Sequence, residues 1–574
     1  MKKTSVLKSK KLILSLAVSA ATTVGLFAQV APGTHTGVIT DISLDKPSPA
    51  ADASWIFNDA VLSNFDMNVN AGAGYEFTVE LNSSTAVVSN LYMQSTGTNT
   101  IILKGADASN RTVVTFATPG GWPHNITANG QNALRLEGYS NVTYSNFKIA
   151  SDSGNVSAGG SAGVSISGAS NNFTAIESSY INANANTAAG KLYFDISGET
   201  GAKSTATFNS LSVRASGDVD TSINMKGNAI FTTNGAFNFA TDTSGGLAKF
   251  TMSNSGNEFI AKAAVNIGSV ATGGGADFDI GGSSNTFTST ANFNVGGAGD
   301  TTASSQSTGG TFNVTMSGSQ NQFVNNAYFN FGRHSNGAIS TFTLGGTDNS
   351  FSSKNEFNLG RNQTAGATSF IMAGTGNTFI HSTGGNSFFI GANMTGGDVD
   401  FTIGGKNNIV EIAGNMYVGS DISGAVGSAT FAVQGSGHDI DISGNLVVRD
   451  RDSNKGILSF VADSEGLSTV NATNVNGLSN LEISLTDFIG DASNTYTVML
   501  ISANNNWSGE AAKFIGSGTD SSGIVTMGAN GLSWEISYDD GNLFLTYTYI
   551  PEPTTYAAIF GALALAFVAY RRRK

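Results

Sequence analysis

In the stretch Phe342-Thr343-Leu344-Gly345-Gly346-Thr347-Asp348-Asn349-Ser350-Phe351, closed by Phe357-Asn358-Leu359-Gly360, apolar and polar side chains alternate and then give way to Gly and Asn. Alternation places Phe342 and Leu344 on one face of a strand and Thr343 on the other. Gly and Asn suit the corner that follows. The underlying pattern, apolar-x-apolar-x-Gly-x-x-Asn, recurs from Leu134, Val164, Phe278, Val314, Phe370 and Phe401, with weaker copies from Ile101, Phe194, Ile223, Phe250 and Phe431. Successive starts are 27 to 36 residues apart. Later copies end in apolar-x-apolar-Gly, as in Phe293-Asn294-Val295-Gly296, Phe329-Asn330-Phe331-Gly332 and Met416-Tyr417-Val418-Gly419, in each of these with the Gly 18 residues after the start.

A unit of this length has room for two or three short strands but not for a long crossover helix, and it cannot bury its own apolar face. Stacked copies can. The expectation is therefore an all-β chain, a right-handed parallel β-helix of about 12 coils, roughly 58 Å long at about 4.8 Å per coil. Phe259, Phe287, Phe323, Phe351 and Phe379 should form a second interior column. Asn285, Asn321, Asn349, Asn377 and Asn408 should form a structural ladder at the corner, each amide bonding backbone or the next amide. The repeats occupy 96–462. Residues 29–95 are expected as an N-terminal cap, and 463–550 as a β-rich C-terminal cap ending in a hairpin from Trp534 through Asp540-Gly541 to Tyr549. This body is similar to right-handed β-helix proteins, among them polysaccharide lyases and autotransporter passengers. That likeness rests on coil length and turn chemistry, and speaks to fold more than to function.

Composition agrees. The chain has 574 residues, 71 Gly, 36 Phe, 7 Pro, no Cys and only 12% charged residues. Strands and turns suit it better than helices. Without Cys there are no disulfides, thiolate metal sites or thiol nucleophiles. The net charge of −13 becomes −21 over 29–550, because nine of the 28 cations lie in the two ends. So acidic a body does not suit nucleic acid, whose recognition needs cationic contacts to phosphate.

The ends carry addresses. Lys2, Lys3, Lys8, Lys10 and Lys11 precede an apolar run from Leu12 to Ala28, a secretory signal peptide over 1–28 with cleavage between Ala28 and Gln29. The last 24 residues hold Pro551, Glu552 and Pro553, an apolar run from Tyr556 to Tyr570, and Arg571, Arg572, Arg573 and Lys574. This tail resembles the PEP-CTERM sorting signal, also catalogued as an ice-binding-protein C-terminal domain, a label that concerns the tail alone. The resemblance implies a Gram-negative envelope, a transmembrane helix in 551–574, the secretion machinery and an exosortase-type transpeptidase as partners, and a final site at the cell surface or outside the cell. The long, polar, repetitive surface of the body suits a structural or adhesive protein in weak multivalent contact with extracellular polysaccharide, and no catalysis is expected. A polysaccharide lyase or hydrolase is the alternative, and an ice- or glycan-binding surface protein the second.

Candidate chemistry is sparse. The five histidines, at 35, 124, 334, 381 and 438, lack a second His or Glu at metal-ligand spacing. His438 stands in the Asn place of its repeat and reads as a ladder substitute. Asp450, Asp452 and Asn454 offer oxygens in calcium-loop spacing, but Lys455 replaces the loop's Gly and Val461 its terminal Glu. No cofactor or metal is expected. Asp277 with Asp279, and Asp398 with Asp400, could share a strand face, yet the repeat places no matching Arg or Lys one coil on. The outward column Thr251, Asp279, Thr315, Thr343, Ile371, Thr402 and Ala432 is too interrupted for a threonine lattice.

Overall fold

The computed structural model describes residues 28–572 apart from 45–50, 70, 94–95, 118–123, 151–156, 183–188, 242–244, 298–306, 384, 386, 423–425, 452–453, 478–479, 489–493, 504–515, 519–523, 528–531 and 550–552. Short strands of neighbouring repeats lie parallel, and the chain winds as a β-solenoid of about 14 turns, a parallel β-helix. The first strands of the repeats form one column of paired residues. It runs from Ile101 through Leu134, Val164, Phe194, Ile223 and Phe250 to Phe278. It continues through Val314, Phe342, Phe370 and Phe401 to Phe431. Every start read from the sequence thus stands over the next, and all of these side chains are buried. The 36-residue step between Phe278 and Val314 leaves the register intact, because its extra length falls between the strands Phe293–Val295 and Thr311–Met316.

The stack is longer than the repeat pattern. Trp55 pairs with Val79 and Val79 with Ile101, so parallel coils already occupy residues 53–82, within the segment expected as a cap. At the other end Phe431 pairs with Leu458 and Leu458 with Leu481. These coils bury the same kind of side chain without the Gly-x-x-Asn corner, which is why about 14 turns form where twelve were counted.

The second strands make the expected column Phe259, Phe287, Phe323, Phe351 and Phe379. The third strands add Phe293, Phe329, Phe357 and Phe388. Within a column the rings stack, for example Phe323 on Phe351 at 5.2 Å and Phe351 on Phe379 at 4.9 Å. Between columns they meet edge to face, as Phe342 meets Phe351 at 5.3 Å and 81°. Both arrangements suit the ring quadrupole, each worth about 0.5–1.5 kcal/mol beyond the buried area.

Toward the C-terminus parallel pairing gives way to antiparallel. Leu532–Asp539 and Asn542–Tyr549 form the expected hairpin, with Asp539 opposite Asn542. Its two turn residues, Asp540 (φ 43°) and Gly541 (φ 84°), are both left-handed, as a two-residue type I′ turn requires. Asn542–Tyr549 also pairs with Thr495–Ala503. Beyond it, Pro553–Arg572 is a helix. Among the described residues no helix is long and apolar enough to cross a membrane, against the expected transmembrane helix. The apolar run from Tyr556 to Tyr570 reaches only about 22 Å, short of a hydrocarbon core of about 30 Å.

Candidate functional site

The asparagine ladder forms, and its bonding is specific. Each side-chain oxygen accepts the backbone N–H of the preceding coil's Asn: Asn321 to Asn349 at 2.7 Å, Asn349 to Asn377 at 2.9 Å, Asn377 to Asn408 at 2.8 Å. Each Nδ2 donates to backbone carbonyls, in Asn349 to Gly345 (2.6 Å) and Gly318 (3.2 Å). These asparagines are fully buried, and their amides satisfy a corner that the strand ladder leaves unpaired. The left-handed conformation of the corner falls on the residue before the asparagine: Ser284, Gln320, Asp348 and Asn407 all have φ of 53–55°. Gly346 is also left-handed, at φ 69°, and a Cβ there would overlap the Gly318 carbonyl oxygen. Stacking leaves no space for a side chain at that point.

His438 continues the ladder. Its Nδ1 accepts the Asn408 N–H (3.2 Å) and its Nε2 donates to the Gln434 carbonyl (2.9 Å). One nitrogen must accept, so the imidazole is neutral. Burial lowers its pKa, offset in part by the bond to Gln434 and by Asp463. His381 is likewise buried, bonds the Asn355 carbonyl at 2.8 Å, and is lowered by burial. The Asn in the third strands forms a second ladder that sequence reasoning left unassigned. Its amides bond one another: Asn266 to Asn238, Asn294 to Asn266, Asn330 to Asn294 (2.8 Å each) and Asn358 to Asn330 (2.9 Å).

The carboxylate pairs lie on the outward face of the first strands. Asp277 accepts from Asn313 Nδ2 (2.9 Å), and Asp279 is raised by burial and by Asp277, with a bond from Ser317 opposing. No Arg or Lys follows Asp277 one coil on, where Asn313 stands; on the coil before, Lys249 pairs in register with Asp277, lines the same depression of about 470 Å³ as Asp277 and Asp279, and makes its ion pair with Asp220 at 3.5 Å. Asp398 accepts from the N–H and Oγ of Ser428 (3.1 and 2.9 Å), and burial raises Asp400. The column Thr251, Asp279, Thr315, Thr343, Ile371, Thr402 and Ala432 stands in register, with its interruptions in place.

Asp450–Arg451 pairs antiparallel with Asn454–Val461. Asp452 and the side chains of Asp450 and Asn454 lie outside the described part. Among the described residues no group of three or more His, Asp or Glu is placed to hold a metal. Pro551, Glu552, Arg573 and Lys574 also lie outside it, while Pro553 opens the terminal helix and Arg571 and Arg572 close it. Ala28 and Gln29 sit in the strand Ala28–Val30, which pairs with Ile42–Leu44, so cleavage after Ala28 would take one residue from that strand. Residues 1–27 are outside the described part.

A surface depression of about 850 Å³ is formed by residues to which the sequence assigned no role. It lies over three consecutive coils, on the outward side of Gln131–Glu137, Ser161–Ser167 and Gly190–Ile196. The middle strand presents only the small residues Ser161, Ser165 and Ser167, between Arg135 and Glu137 on one side and Lys191, Tyr193 and Asp195 on the other, while Gly163 is buried in their midst. The result is a trough along the strand direction, with walls roughly 10 Å apart, two interstrand spacings. The Tyr193 ring lies over Gly163, where a Cβ would come within 2.6 Å of ring atoms Cδ1 and Cδ2. Lys191 Nζ is 5.3 Å from its centroid. Burial raises the Tyr193 pKa, as does Asp195, while Arg135 opposes. Asp195 is held by Asn224 Nδ2 and Lys226 Nζ, each at 2.7 Å. No family model, curated protein or solved structure matches the chain.

Proposed function

We propose that this chain is an exported structural or adhesive protein of a Gram-negative cell surface or extracellular matrix, without catalytic activity, sorted through its C-terminal tail. The observation that carries this reading is the exposed apolar side of the terminal helix. Phe560, Leu563, Leu565 and Phe567 are each 60–72% exposed, and Arg571 and Arg572 follow. So apolar a surface calls for a cover beyond the described residues. A membrane that holds the tail until an exosortase-type transpeptidase processes the Pro551–Pro553 segment would supply it. The rod suits the rest of the role: a long, rigid, polar exterior favours weak multivalent contact with extracellular polysaccharide. The test is the mass of the C-terminal peptide recovered from producing cells, with the cell fraction that holds the body. Loss of the tail with the body outside the cell supports the reading. Arg571 to Lys574 still attached in a membrane fraction overturns the sorting step.

The register of Lys249 with Asp277, beside Asp279, favours a second reading, a polysaccharide lyase or hydrolase. Incubation with acidic and neutral glycans separates the two. Shortened products that disappear with Asp279→Asn would establish the enzyme; retention without shortening sustains the adhesive role.

A further inference from the structure

We infer that the trough over Gln131–Glu137, Ser161–Ser167 and Gly190–Ile196 is a binding site for a strand of acidic polysaccharide, with one sugar ring seated on Tyr193. The inference rests on the adhesive reading and names where and what the rod would bind. Three features carry it. The trough is open along its length, so it suits an extended ligand lying along the strands, and its volume of about 850 Å³ falls within the usual range for ligand sites. Its floor is made of the hydroxyls of Ser161, Ser165 and Ser167, with Gly159, Gly160 and Gly190 toward one end, and Tyr193 is the one aromatic ring lining it. That combination offers hydrogen bonds to many hydroxyls and one flat face for the C–H side of a pyranose; it offers nothing to a lipid.

The third feature is charge. Arg135 and Lys191 stand exposed on opposite sides of the floor, while Asp195 is already neutralised by Lys226 at 2.7 Å. Glu137, at one end, is the remaining carboxylate lining the trough. The local balance is therefore slightly positive on a body whose net charge is −21. An acidic glycan is repelled along most of the rod and attracted at this place, so repulsion elsewhere directs it here. Arg135 presents the planar fork that pairs with a carboxylate through two parallel bonds, and Lys191 adds a mobile charge above Tyr193. The middle coil is what makes room: with larger outward residues than Ser161 and Ser165 there would be no trough, and a side chain at Gly163 would push Tyr193 off its seat.

The test uses the full chain and two probes, oligogalacturonate and a neutral dextran oligomer of similar length, titrated calorimetrically at low and high salt. Oligogalacturonate should bind, weaken as salt rises, and exceed the neutral oligomer by at least about tenfold, the factor expected of one charge-assisted contact. Arg135→Gln and Tyr193→Ala should each weaken it by about tenfold or more, and Tyr193→Phe should restore binding, since the ring and not the hydroxyl forms the seat. Arg135 is exposed, so its variant keeps the fold; an unchanged melting temperature verifies this for each variant. Binding that survives both substitutions, or equal binding of the neutral oligomer, overturns the trough while leaving the adhesive reading standing. A chain that retains no glycan of any kind overturns both.

Discussion

Asn349 shows how much one amide can hold. Its oxygen takes the Asn321 N–H and its nitrogen serves two carbonyls, all inside the wall of the rod. Asn349→Ala removes the partner of a buried N–H and of the Gly345 carbonyl, while the Gly318 carbonyl keeps the Thr347 N–H, and should cost about 1–3 kcal/mol. Denaturant unfolding measures this; a loss under a few tenths would mean that water replaces the amide. His438 occupies the equivalent place with a group that titrates. Its folded-state pKa lies below the ordinary 6.5, so folding favours the neutral ring. The unfolded chain then binds more protons once the pH drops below about 6.5, and the stability contributed is full above that value and lost as pH falls through it toward the folded-state value. His438→Asn should therefore show a smaller fall in melting temperature between pH 7.5 and 5.5 than the unsubstituted chain. Some fall should remain, because His381 is shifted in the same direction. An identical fall in both proteins would remove His438 from the account.

At the scale of the element, the interior strands act through their stacks. Phe351 lies between Phe323 and Phe379 and meets Phe342 and Phe370 edge on, at 5.3 Å each. Phe351→Ala should destabilise by about 3–5 kcal/mol, from lost transfer energy and an unfilled cavity, and Phe351→Leu by clearly less. Comparison of the two unfolding midpoints checks it, and equal losses would show that ring stacking adds nothing here. These columns could be read in advance because strand alternation is local. The carboxylate pairs were half legible: their shared face follows from two-residue spacing, but the placement of Lys249 beside Asp277 required the register between coils.

For the whole molecule the open ends matter most, because a solenoid end presents unpaired strand edges. The hairpin Leu532–Asp539 with Asn542–Tyr549 covers one edge by pairing with Thr495–Ala503. A chain ended before Leu532 should expose that edge and self-associate. Light scattering after size-exclusion chromatography would show oligomers, and a strictly monomeric product would mean that another segment guards the edge.

The solenoid, its coil starts from 101 to 431, the buried phenylalanine columns, the corner asparagine ladder and the closing hairpin were legible in the order of the residues. Each of these depends on spacing along one chain: alternation in a strand, a glycine at a corner, Asp-Gly in a two-residue turn. Features that depend on neighbours about 30 residues apart emerge only in the folded chain. The coils at 53–82 lack the corner motif and are recognised only by their partners. The left-handed corner residue lies one place before each Asn because the Asn must reach the backbone of the preceding coil. The trough arises from a row of small residues on one coil between larger ones on the two beside it. None of those rows is distinctive alone; their meeting depends on loop lengths and register, which fix what stands next to what.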